Sequence, residues 1–222
     1  MIKTLLLVLD PAGGWDTIVL TRRSWLRILL GYLVPLWLIT FVAGGYGLVH
    51  WGKPHGYVSE TTRFSHSEAL IFEILELCLM SVIVFVGARL IKALGETFHG
   101  RNTFTQTFTV TAYGLGPYFA LRIFDMFPGV SSWAYWAVWI AGMVLSFLIL
   151  YQGIPRVMLP DPPHAFGLYL TSCVFLVMVS GLARFLTYWY LAGKFGKLDA
   201  LITNLVAHVP MLQSFDKFHF LK

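Results

Sequence analysis

Along this chain of 222 residues, apolar stretches of about 18 residues or more recur, the length that matches a bilayer core about 30 Å thick. Soluble chains rarely sustain such stretches, so lipid is the solvent for which this sequence is built. Charged residues make up 12% of the chain, against about 25% in an ordinary soluble domain. The expected fold class is all-α, a polytopic membrane helix bundle with five transmembrane helices plus N- and C-terminal interfacial helices. The spans fall at about 26–49, 69–94, 108–127, 133–150 and 166–192, with interfacial segments at about 1–25 and 194–222. No internal repeat, low-complexity stretch or second domain interrupts them, so residues 1–222 read as a single membrane domain.

The punctuation follows from residue chemistry. Pro35 and Pro117 lie inside spans, where neighbouring helices can satisfy the backbone groups that proline frees. Pro128-Gly129 reads as a turn. Pro155, Pro160, Pro162 and Pro163 make 151–165 an expected loop, because proline lacks the helical N–H. At the N-terminus, Leu5 to Leu9 is too short for a cleaved signal and stops at Asp10-Pro11, so no cleavage is expected. Trp15, Ile18 and Val19 then give a short helix with an aromatic face, expected to lie in the cytoplasmic interface. Leu198, Leu201, Ile202, Leu205 and Val209 recur at helical spacing, which predicts a second surface helix.

The formal charge of +5 does not point to nucleic acid, because the basic residues flank apolar runs instead of clustering. Lys3, Arg22, Arg23, Arg27, Lys92, Arg101 and Arg156 fall on one side, which places the N-terminus in the cytoplasm and, with five spans, the C-terminus outside.

No catalytic motif appears, and no cofactor is expected. Among the seven histidines, His50, His55 and His66 on one side and His99 and His164 on the other have no metal-ligand spacing. Cys78 and Cys173 sit in apolar runs as small hydrophobes. Charges inside spans are more informative, because each costs several kcal/mol unless paired or hydrated. Counting along each helix puts Glu76, Arg122 and Arg184 at about the same depth, roughly 8–12 Å in at 1.5 Å per residue. Glu73 shares a face with Glu76, as Asp125 does with Arg122. The expected cluster is therefore Glu73, Glu76, Arg122, Asp125 and Arg184, with Glu76 or Glu73 paired to Arg122 or Arg184. It reads first as an ion-pair network fixing helix register, and second as a polar cavity for an ion, a proton or a lipid headgroup.

The stretch from Gly100 and Arg101 through Phe104, Ala112 and Tyr113 to Pro117 resembles the signature of the Yip domain family, the Ypt/Rab-interacting membrane proteins. Tyr151, Gly153 and Arg156 are similar to that family's segment after the fourth span. Asp10-Pro11 with Trp15 and Ile18 resembles the entry of its bacterial members. The resemblance implies five spans with a cytoplasmic N-terminus. It also implies a non-enzymatic scaffold or accessory subunit that binds membrane lipids and other membrane proteins or itself, here in a bacterial cytoplasmic membrane. Eukaryotic members carry a longer acidic N-terminal region that this chain lacks, so a Rab-type GTPase partner is not expected. The competing reading is a small transporter or channel using the charge cluster, with Pro35 and Pro117 as helix breaks. A lipid-modifying enzyme is disfavoured for want of any nucleophile-base pair.

Overall fold

The computed structural model describes residues 2–52, 64–98, 102–127, 132–191 and Asn204, and all regular structure among them is helical. Two short helices come first, α1 (Ile2–Leu9) and α2 (Pro11–Thr21). Asp10 joins them: its carboxylate accepts the Gly13 N–H at 3.1 Å, and Pro11 occupies the first helical turn, where a missing N–H costs nothing. The long helix α3 (Trp25–His50) follows, with a π-helical turn at Leu29–Leu33 just before Pro35. The widened turn contains Gly31, whose carbonyl a proline ring four residues on would otherwise meet.

Helix α4 (His66–Thr97) begins with a capping box: Ser65 Oγ accepts the Glu68 N–H at 3.2 Å, and Glu68 Oε2 accepts the Ser65 N–H at 3.1 Å. Among the described residues, helices α3 and α4, together with α7 (Ser132–Met158) and α8 (Pro162–Leu191), are the four that are long and apolar enough to cross a membrane.

The stretch expected as the third span is instead broken into α5 (Phe104–Gly114), α6 (Gly116–Leu121) and a 3-10 turn at Arg122–Met126. Gly114, Gly116 and Pro117 cannot carry one continuous helix, and Pro117 starts the next one. Every residue from Thr107 to Phe119 is buried, so this run forms the interior of the bundle. Its threonines tolerate burial because their hydroxyls bond to carbonyls of the same helix. Thr109 donates to Thr105 at 2.6 Å, and Thr111 to Thr107 at 2.8 Å.

Residues 151–165 are not the expected loop. Helix α7 continues through Pro155 to Met158, and α8 starts at Pro162. Packing overrides the local signal: Ile154, Val157 and Met158 are all in the core and hold the last turn in place. The carbonyl that Pro155 leaves unpaired belongs to Tyr151, which is exposed. Pro162 and Pro163 start a helix rather than preventing one.

The aromatic face of α2, expected at the membrane interface, is turned into the bundle. Trp15 is 0% exposed, and its indole N–H donates to the Ile149 carbonyl at 2.9 Å. An indole buries cheaply when its N–H finds such an acceptor. Apart from Asn204, the expected C-terminal interfacial segment 194–222 and its helix at 198–209 lie outside the described residues. So do Pro128-Gly129, His55, His99, Gly100 and Arg101.

Exposed apolar side chains such as Leu38, Val82, Ile140, Leu148, Leu170 and Leu182 cover the outer faces of the long helices. An apolar exterior of this extent suits lipid.

Candidate functional site

The charged residues meet where α3 ends and α4 begins. Glu73 and Glu76 come from one face of α4. Arg122 and Asp125 come from the 3-10 turn, whose three-residue repeat eclipses them, and Arg122 Nε donates to Asp125 Oδ2 at 3.1 Å. Arg184 enters from α8. Exposure is 2% for Glu73, 6% for Glu76, 4% for Arg122 and 2% for Arg184.

Asp125 is the hub. Arg184 grips it with both terminal nitrogens, at 2.7 Å each, in the bidentate geometry that makes guanidinium-carboxylate pairs strong. Arg184 also donates to the Tyr135 carbonyl at 3.1 Å, and its guanidinium carbon lies 3.3 Å from the Tyr135 ring centroid. Arg122 bridges Asp125 to Glu76, with Nη2 on Oε1. The guanidinium opposite Glu76 is thus Arg122, while Arg184 takes Asp125.

Glu73 stands apart. It is buried, and its Oε2 has no hydrogen-bond partner. Gly44 of α3 makes room for it: a Cβ at that position would collide with the Glu73 carboxylate. The carboxylate borders a cavity of about 240 Å³, whose other walls include Leu48, Phe72, Phe124, Phe127, Tyr135 and Thr187. The two guanidiniums are matched by Glu76 and Asp125, so Glu73 is a carboxyl group with no ion-pair partner among the described residues.

The family-motif positions do other work. Ala112 and Tyr113 are fully buried, and the Tyr113 ring meets Trp15 edge-on at 6.4 Å. Gly153 supplies a notch for the same indole, since a Cβ there would collide with it. Arg156 reaches Asp16 of α2 at 3.3 Å. Tyr113, Gly153 and Arg156 therefore form a socket for α2. Phe104 joins a different aromatic group with Trp25 and Phe85, Pro117 starts α6, and Tyr151 is exposed beside Tyr169. A second cavity of about 460 Å³ opens at this end, bordered by Arg22, Arg23 and Arg156.

Sequence reasoning missed Tyr135 and the specific task of Gly44. Gly44 lies in the glycine-rich run Gly44-Gly45-x-Gly47, and nothing in the sequence marks its partner. Tyr135 gave no signal in its aromatic-rich segment.

Long apolar helices around a buried polar cluster define a multi-pass integral membrane protein. The Yip1 domain matches residues 5–187, and the chain belongs to the Yip family, whose members are non-enzymatic membrane proteins. No curated protein and no solved structure matches it.

Proposed function

We propose that this protein is a membrane scaffold or accessory subunit that binds other membrane proteins or lipids, with residues 1–222 acting as one domain. The observation that carries this reading is the closed charge network. Glu76, Arg122, Asp125 and Arg184 neutralise one another across α4, the 3-10 turn and α8, which suits a register lock more than a moving ion path. Family membership and the apolar outer faces support it.

The proposed arrangement has five crossings, with the broken run Phe104–Met126 as the third. Arg22, Arg23 and Arg27 ahead of α3 favour a cytoplasmic N-terminus in a bacterial cytoplasmic membrane. Reporter fusions after Lys222 and within 95–107 should report opposite sides, and agreement between them would sink the five-span count.

Whole-cell crosslinking with mass spectrometry tests the function. The expected result is a stoichiometric membrane-protein partner. Recovery of no partner, together with substrate-dependent flux into proteoliposomes, would replace the scaffold by a transporter.

A further inference from the structure

We propose that the cavity beside Glu73 binds a primary ammonium group carried on an apolar chain, the headgroup chemistry of an aminophospholipid. This deepens the lipid-binding side of the proposed function. Partner capture reads proteins and the test below reads lipids, so either can fail alone.

Three observations converge. The first is an unpartnered acceptor, Glu73 Oε2, on a side chain only 2% exposed and bordering the cavity. A buried carboxylate oxygen without a donor is costly, and a ligand N–H removes that cost. The second is the pairing: Arg122 and Arg184 are taken by Glu76 and Asp125, so among the described residues no guanidinium is ion-paired to Glu73. The third is the wall. Phe124 and Phe127 border the cavity and are 52% and 46% exposed, so its apolar lining continues to the outer surface of the bundle.

Depth fits the same ligand. Helix α4 has 32 residues. At 1.5 Å per residue it is about 48 Å long, so when centred on a core of about 30 Å it projects about 9 Å at each end. Glu73 lies about 10 Å from the start of α4 by the same rise, level with the hydrocarbon boundary.

A metal ion suits the site less well. Hard cations want six or more oxygens, and both Asp125 oxygens and Glu76 Oε1 already face guanidinium nitrogens. A quaternary ammonium has no N–H to give Oε2. A primary ammonium offers three.

The experiment uses the purified full chain in detergent. Phosphatidylethanolamine and phosphatidylcholine of identical acyl chains are added separately, and decylamine provides an ammonium with no phosphate. Melting temperature and lipid retention in native mass spectrometry are read together. Saturating phosphatidylethanolamine is expected to raise the Tm by roughly 5 °C or more over phosphatidylcholine. Decylamine displacing the retained lipid would show that the ammonium alone is recognised. Decylamine without effect would assign the site to the intact lipid. Glu73→Gln should erase the preference while melting normally in phosphatidylcholine, and Gly44→Ala should weaken it by pushing the carboxylate out of place. Equal protection of the wild type by the two lipids overturns the proposal whatever the variants do. So does a Glu73→Gln protein that keeps the preference.

Discussion

Arg184 and Arg156 make the same kind of bond, a guanidinium reaching an aspartate on another element, in opposite surroundings. Arg184 is 2% exposed and holds Asp125 through two bonds of 2.7 Å. Arg156 approaches Asp16 at 3.3 Å, and the two side chains are 35% and 66% exposed. Water decides what each contact contributes. A buried charge that loses its partner has nothing to replace it, whereas an exposed one is re-solvated at once. The first pair governs whether the bundle holds together, and the second trims how α2 sits on it.

Arg184→Gln should have the largest effect, about 3–5 kcal/mol in detergent thermal unfolding, because it removes the bidentate partner of Asp125 and leaves only Arg122 on Oδ2. The double variant Asp125→Asn with Arg184→Gln should be milder than the sum of the singles. Simple additivity would mean that the two residues do not act as a pair. Gly153→Ala comes next, at about 1–3 kcal/mol, because the added methyl overpacks the notch that receives Trp15. Cysteine labelling along α2 should rise in that variant, and unchanged labelling would show that the notch does not hold the helix. Asp16→Asn should cost under about 1 kcal/mol. That small difference should vanish near 1 M salt, where the screening length is about 3 Å. A loss as large as that of Arg184→Gln would break the comparison.

Depth along a helix is legible from residue counting, which is why Glu76, Arg122 and Arg184 fall at one level in the sequence. Azimuth is not. Whether Arg184 faces Glu76 or Asp125 depends on the 3-10 turn at Arg122–Met126, and no local pattern announces that turn. Pro155 shows a different limit. Its propensity is a local penalty, while Ile154, Val157 and Met158 contribute buried area that only the assembled bundle provides. The broken third stretch is hard to read for a related reason: its threonines look polar, yet they are silenced by carbonyls one turn back. The membrane class and four long helices were readable because bilayer thickness imposes length directly.

Trp15 and the carbonyl it bonds are 134 residues apart in the chain. Synthesis proceeds at about 5–20 residues per second, so the N-terminal hairpin leaves the ribosome roughly 7–27 s before its socket on α7 exists. During that interval the indole lacks the Ile149 carbonyl and the Gly153 notch, and the headgroup layer is the nearest surface that accepts both ring and N–H. Docking of the first-made helices is therefore a late event in assembly. The hairpin waits on the membrane and closes the bundle after α7 has been inserted.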